Sequence, residues 1–263
     1  MGWLIIPEKA INPAITIITQ ETTMIDVHTH LLPGIDDGAS NIEEALLMTK
    51  SLAEQGIITA VCTPHFNPAE VSMEDFLKAR EGAVQSIQNS GVKLIPGSEI
   101  FLHEYLFHYK DISPLCIGDT RYLLIEFPIN KTWDTKNEFY VRQLINYYGI
   151  IPIIAHIERY KPILKNTGIL KRLRDMGCLI QTNTSSVIEK RTSRLVIKYL
   201  QAGYIDLLGS DCHNMTTRPP CFTKALKEIK RKAGLDIITR LEVNSERVIT
   251  GEYINKSTGY ILD

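Results

Sequence analysis

The sequence predicts an α/β fold, a single barrel-like domain of seven strand–helix units. Three observations predict it. Short apolar runs alternate with amphipathic stretches along the chain. Those runs are apolar almost without interruption, as strands are when helices cover both faces of a parallel sheet. No linker or low-complexity segment divides the 263 residues, a length suited to one large α/β domain or two small ones. An open doubly wound sheet is the alternative arrangement.

The elements follow in order. Met24–His30 reads as the first strand. Ser40 can cap a helix that runs to about Gln55, with Ala45, Leu46, Met48, Leu52 and Ala53 on its inner face. Ile57–Thr63 is the second strand. Ser72 followed by Asp75 resembles a capping box and opens a helix to about Asn89. Val92–Pro96, Arg121–Phe127, Ile150–Ala155, Cys178–Asn183 and Tyr204–Gly209 are strands three to seven. Helices fill 135–148, 168–176, 191–202 and 220–233, and a shorter helical tail follows.

Composition narrows the function. A net charge of −1 gives no global attraction to nucleic acid or anionic membrane. A phosphate site would therefore need local arginines or a metal. The five cysteines (62, 116, 178, 212 and 221) form no C-x-x-C pair and are odd in number, which points to a reducing cytoplasm. The apolar stretches in residues 1–23 are broken by Pro7, Glu8, Lys9, Asn12 and Pro13, unlike a signal peptide. No other segment approaches the roughly 18 apolar residues of a membrane span. Residues 1–23 are expected to be a poorly structured extension without a catalytic role, and Met24 is an alternative start.

The chemistry-bearing residues gather at strand ends, where barrel enzymes place their active sites. In Ile25-Asp26-Val27-His28-Thr29-His30, strand alternation points His28 and His30 to one face, with Asp26 sharing it. Asp36 and Asp37 lie in the loop that follows. His65 follows strand two, Glu99 follows strand three, Glu126 ends strand four and His156 ends strand five. Asp211 and His213 follow strand seven. His103 and His108 fall elsewhere and are expected on a helical surface. Any one of these residues could be structural; unrelated surface residues have no reason to share one rim. Glu126 at an apolar strand end needs a partner for its charge, and a divalent cation supplies one. Five histidines and four carboxylates exceed the three or four ligands of one zinc ion and suit two or three ions. Mixed imidazole and carboxylate ligation admits zinc, manganese or iron.

At these residues the chain resembles the PHP (polymerase and histidinol phosphatase) superfamily. Within it, the chain is similar to the bacterial manganese-dependent protein-tyrosine phosphatases of capsule and exopolysaccharide loci, the CpsB/YwqE type. The matching blocks are MIDVHTH with DDG after it, TPH, GSEI, LLIEFP, PIIAHIERY, and GSDCHN followed by TTRPP, spread over residues 24–220. The resemblance implies a distorted (β/α)7 barrel over residues 24–263 and three divalent ions, manganese foremost, with iron or zinc as alternatives. It places His28, His30, Glu99 and Asp211 around the first ion. Glu99 would bridge to a second ion held by Glu126 and His156. The third would take Asp37, with Asp36 as the alternative, together with His65 and His213. Asp26 would support the site rather than ligate.

Arg159 and Arg218 would contact phosphate and clamp its oxygens during in-line attack by a metal-activated hydroxide on phosphotyrosine. The implied partner is a phosphotyrosine protein, the tyrosine-rich tail of a bacterial autokinase that regulates polysaccharide export. Phe66, Phe127, Tyr160 and Phe222 could line a phenol slot, although packing is the plainer role for each. Rival readings are a histidinol phosphatase, a polymerase-associated nuclease and a catalytically dead metal scaffold. Cys212 and Arg218 also have the C-x5-R spacing of cysteine-based phosphatases, but their loop lacks glycine.

Overall fold

The computed structural model describes residues 24–129 and 133–255; the expected extension, residues 1–23, lies outside the described residues. Nine strands are present among the described residues: β1 (Met24–Thr29), β2 (Ile57–Cys62), β3 (His65–Phe66), β4 (Lys93–Pro96), β5 (Glu99–Phe101), β6 (Tyr122–Glu126), β7 (Ile151–Ile154), β8 (Leu179–Asn183) and β9 (Leu207–Gly209). They form a sheet in the order β1-β2-β4 and another in the order β3-β5-β6-β7-β8-β9, with every pairing parallel.

Seven of these match the predicted strands, and β3 and β5 are short continuations of the second and third that lie beyond the predicted bounds. β2 and β3 are one run broken at Thr63-Pro64, and β4 and β5 one run broken at Gly97-Ser98. Pro64 has no N–H to give a ladder. Each half keeps the same neighbour across the break, because β2 pairs with β4 and β3 with β5. The breaks place His65 and Glu99 at the first positions of β3 and β5, opposite each other in register. The ring closes where Thr29 bridges Cys212 in parallel, with Asp211 N donating to His28 O (2.8 Å) and His30 N to Cys212 O (3.0 Å). The result is the expected distorted parallel barrel.

Alternation sorts the side chains into two layers. Val27, Val61, Ile95, Leu124, Ile153, Leu179 and Leu207 fill the barrel interior. Ala60, Cys62, Ile125, Ile154, Ile180 and Leu208 face outward and pack with helix residues such as Met48, Leu52, Leu144 and Ile229.

One strand departs from strict alternation. Asp26 pairs with Ala60 and Thr29 with Cys62, so β1 advances three residues while β2 advances two. This bulge reverses the facing of the residues beyond it. Asp26 therefore lies on the outward side with Ala60, whereas His28 and His30 turn into the rim. The expectation that Asp26 shares their face is corrected.

The helices are α1 (Ile42–Glu54), α2 (Met73–Ser86), α3 (Thr135–Tyr148), α4 (Lys161–Lys165), α5 (Thr167–Asp175), α6 (Thr184–Ile188), α7 (Ser193–Gln201), α8 (Phe222–Ala233) and α9 (Leu235–Thr250). Ser72 caps α2 as expected, accepting from Asp75 N. Asn41, not Ser40, caps α1: its Oδ1 accepts from Glu44 N at 2.9 Å, while the Ser40 hydroxyl donates to the Glu44 carboxylate. The buried face of α1 is Ala45, Met48, Thr49 and Leu52. Leu46 and Ala53 instead point to solvent, about 100° from their buried neighbours. The tail is not short. With 16 residues α9 is the longest helix among the described residues, and Ile237, Ile238, Leu241 and Val248 bury one face of it.

The close approach of β9 to β1 depends on Gly209. A Cβ there would lie 2.6 Å from His28 Cβ and 3.2 Å from His28 N, both on a buried strand. Replacing Gly209 by Ala is expected to cost about 1–3 kcal/mol, a fall in Tm of roughly 2–10 °C. Thermal unfolding checks this, and an unchanged Tm would contradict the packing described.

Candidate metal centre

The rim of the barrel gathers side chains from six separate strand ends and the loop after β1. His28 and His30 present their Nε2 atoms 3.1 Å apart. Both lie close to Glu99 Oε2 (3.2 and 3.3 Å) and to Asp211 Oδ1 (3.5 and 3.4 Å). These four residues form one set whose ligating atoms all lie within 4.8 Å of one another. A second set is His30, Asp37, His65 and His213, in which Asp37 Oδ1 is 3.2 Å from His213 Nε2 and 3.5 Å from His65 Nε2. A third is His65, Glu99 and Glu126. His156 Nε2 adjoins it, 2.9 Å from Glu99 Oε1 and 3.5 Å from Glu126 Oε2. All nine residues expected to hold ions thus converge, with Glu99 at the junction. His103 and His108 lie apart, at the start and end of a short 3-10 turn.

Backbone geometry aims two of these side chains. His156 and Asp211 have φ of 32° and 53°, left-handed values rare for residues other than glycine. Each follows a strand, and each is pinned by its own N–H: His156 N donates to Gln181 Oε1 (2.6 Å) and Asp211 N to His28 O (2.8 Å). Gly38 lets the loop after β1 fold back, since a Cβ there would lie 2.3 Å from His30 O.

A further layer fixes the ring tautomers. Asp36 accepts from His30 Nδ1 (2.6 Å), His65 N (2.9 Å) and Gly38 N (3.0 Å). Asp36 is thereby occupied in orienting His30, and Asp37 is the carboxylate among the ligating atoms. Gln181 Oε1 stands 3.3 Å from His28 Nδ1, and the Asp211 carbonyl 3.0 Å from His213 Nδ1. Each contact leaves Nε2 as the free lone pair for an ion. Asn183 Nδ2 donates to Asp211 Oδ2 (2.7 Å) and Gln181 Nε2 to Asn183 Oδ1 (2.9 Å). Sequence reasoning missed Gln181 and Asn183. Their signal was two amide side chains at alternate positions of the buried strand β8. Asp26 supports the site from outside, its Oδ1 accepting from His28 N (3.2 Å) and Ser210 N (2.9 Å).

The electrostatics fit cations. Glu99 Oε1, His156 Nε2, Asp211 Oδ1 and His213 Nε2 are buried and have no aligned hydrogen-bond partner among the described residues. Leaving such atoms unsatisfied is costly, and a mixed imidazole–carboxylate donor set suits divalent metals. Burial disfavours the charge on Glu99 and Asp211, yet the neighbouring histidines hold both carboxyls well below their usual range. Burial likewise opposes the His156 cation, but Glu99 beside it pushes its pKa up to about 9. Burial, with the positive charge of His30, pushes His213 down to about 3.

Arg159 and Arg218 stand at the mouth, each about a third exposed at 31%. Arg159 Nη2 donates to Asp211 Oδ2 (2.5 Å), and Arg218 Nη2 is 2.7 Å from Asp211 Oδ1. Both line a polar cavity of about 400 Å³ beside Asp211.

The cysteine-phosphatase reading fails here. Cys212 is fully buried, and burial holds its thiol well above the usual range. The N–H groups of Thr216, Thr217 and Arg218 all donate to Asn214 Oδ1, so the loop forms no phosphate cradle. Phe66, Phe127, Tyr160 and Phe222 are all buried core residues and line no open slot.

Two outcomes follow from this geometry. Gln181→Leu removes the acceptor shared by His28 and His156 and is expected to weaken divalent-ion affinity by about 10- to 100-fold. Titration against a competing chelator measures it, and unchanged affinity would contradict the role. Ion binding displaces the His156 proton below about pH 9. Affinity should therefore rise with pH between about 6.5 and 9, with protons released on binding. The sign for the chelated protein is opposite. A histidine raised on folding stabilises fully below its unfolded pKa of about 6.5, and that contribution fades as pH rises through about 9.

Comparisons with known proteins place the chain in a family. A sequence model described as capsular polysaccharide synthesis, CpsB/CapC, matches residues 24–250. The chain is 30% identical over 243 residues to tyrosine-protein phosphatase YwqE of Bacillus subtilis, covering 88% of this chain and 93% of that protein. It is also 30% identical over 241 residues to tyrosine-protein phosphatase CpsB of Streptococcus pneumoniae, covering 86% and 98%. A crystal structure from work on YwqE and CpsB, described as unique metal-dependent tyrosine phosphatases, superposes with a TM-score of 0.77 at 26% identity, over 91% of this chain and all of that one. A histidinol phosphate phosphatase of Lactococcus lactis shares the fold, with a TM-score of 0.50 at 12% identity over 81% of this chain and 94% of that one. With the matched region running from β1 through α9, the chain belongs to the CpsB/CapC family of capsular polysaccharide synthesis.

Proposed function

We propose that the chain, a metal-dependent tyrosine-protein phosphatase of the CpsB/YwqE type, hydrolyses phosphotyrosine on protein at a centre of three divalent ions. Manganese is the leading candidate, with iron or zinc as alternatives. The observation that carries this reading is the convergence of nine ligand-type side chains, several with unsatisfied buried atoms, beside two partly exposed arginines.

His28, His30, Glu99 and Asp211 would hold one ion. Glu99, Glu126 and His156 would hold a second, and Asp37, His65 and His213 a third. Such ions, when bound, neutralise phosphoryl charge and supply a nucleophile from water at neutral pH. The chain's own groups do the rest. Asp36 and Gln181 keep the His30 and His28 rings turned with Nε2 inward. Arg159 and Arg218 offer forked donors to the phosphoryl oxygens. Both rest on Asp211, and a phosphate dianion would compete with that carboxylate for them. A phenolate leaves more readily than an alkoxide, so proton donation to the leaving group is a modest demand.

The physiological substrate in this reading is the tyrosine-rich tail of a polysaccharide-export autokinase, met in the cytoplasm. No helix among the described residues is long and apolar enough to cross a membrane.

The test is turnover of phosphotyrosine peptide, phosphoserine peptide and histidinol phosphate, each with and without added manganese. Hydrolysis should be strongest for phosphotyrosine and should disappear on chelation. His156→Ala and Asp211→Ala should abolish it, and Cys212→Ser should leave it intact. Turnover by either alanine variant in excess metal would overturn the assignment.

A further inference from the structure

Beyond the rim, a second surface is set up for anions. A shallow groove of about 620 Å³ runs beside α7, with Ile188 and Ile197 in its lining and Lys190, Arg194 and Lys198 along it. All three cations are exposed, and none has an ion-pair partner among the described residues. A fourth cation, Lys232, is already engaged by Ser193 Oγ (3.0 Å) and Glu228 (3.1 Å). No acidic residue lines the groove, although the chain as a whole carries a net charge of −1. Glu228 meets the groove only through its pair with Lys232, and Glu189 lies in the lining of the catalytic cavity.

The groove and that cavity lie against one chain segment. Glu189 and Thr192 line the cavity that holds Arg159 and Arg218, while Ile188, Lys190 and Ser193 line the groove. Residues 188–193 are thus a shared wall. One of the cations is also placed against helix stability. Arg194 sits in the first turn of α7, which has no acidic residue, where the helix dipole favours negative charge. A charge that local structure disfavours points to a use elsewhere. Residues four apart on a helix stand about 6 Å apart along its axis. Alternate residues of an extended peptide are spaced by roughly 6.6 Å. Arg194 and Lys198, four apart on α7, therefore match acidic groups at alternate positions of an extended chain, and Lys190 extends the row from the turn before the helix.

We propose that this groove binds an acidic segment of the substrate polypeptide flanking the phosphotyrosine, and so selects substrates by charge outside the metal centre. The proposal rests on the phosphatase reading for the identity of the flanking chain.

The experiment compares the wild type with the triple variant Lys190→Glu/Arg194→Glu/Lys198→Glu. An acid at position 194 suits the first turn of α7, so the fold should tolerate the change, and thermal unfolding verifies it. Turnover of free phosphotyrosine, a neutral-flanked phosphotyrosine peptide and one with glutamates at alternate flanking positions is measured at low and high salt. The wild type should prefer the acidic peptide by about tenfold in kcat/KM, the size expected of three exposed ion pairs, and high salt should erase the preference. The variant should lose the preference while turning over free phosphotyrosine normally. A preference that survives in the variant would overturn the proposal, as would no preference in the wild type.

A binding arm separates this proposal from the activity itself. Fluorescence anisotropy with the acidic peptide lacking phosphate should show binding to the wild type and not to the variant, whatever the turnover. Binding to phosphatidylglycerol vesicles without binding to the peptide would assign the groove to a lipid surface and refute the proposal.

Discussion

Glu99 is a carboxylate with no exposed surface, and four imidazoles stand within 3.3 Å of its oxygens. They come from β1, β3 and the end of β7, segments that share no local sequence. A charge buried this deeply is tolerated only when it is compensated in place. The compensation here needs the barrel to close, because His28 and His30 reach Glu99 only once β1 is bracketed by β2 and by the segment after β9. The break at Gly97-Ser98 belongs to the same requirement. It restarts the strand so that Glu99 faces His65 in register and meets the ring of histidines.

The rim is held by features that work against local stability. His156 and Asp211 adopt left-handed backbone, and Gly38 and Gly209 occur where any side chain would collide with β1. Strain of this kind persists where the surrounding structure over-determines it. Gln181 does so for His156 by accepting its N–H, and the same oxygen sets the His28 tautomer. Gln181 and Asn183 thus link ligands from three strands into one buried network, so the ligand atoms are positioned before any ion arrives.

Much of this could be read from the sequence, because the signals were local. Apolar runs and helical spacing located seven of the nine described strands and most helices, and the restriction of chemistry to strand ends picked out the rim residues, with Asp36 and Asp37 both left open. What was not legible depended on register or on contacts distant in sequence. Alternation alone put Asp26 beside His28 and His30. The bulge that separates them is a property of how β1 pairs with β2, and only the pairing reveals it. Ser40 and Asn41 are both good caps, and the backbone direction before α1 decided for Asn41. The length of α9 depended on a core face against the barrel that the tail's mixed composition concealed. The split of Asp36 from Asp37 rested on which carboxylate meets His30 Nδ1, a contact between loop and strand that spacing does not encode.

The central claim is that Glu99 organises a multi-ion centre rather than a single-ion site. Metal analysis of purified wild type and Glu99→Gln, loaded with manganese and freed of excess, tests it most directly. The glutamine keeps the shape and removes the charge. The account predicts about three ions per chain in the wild type and the loss of at least two in the variant, with the fold retained by circular dichroism. One ion per chain in the wild type, or an undiminished complement in Glu99→Gln, would contradict it.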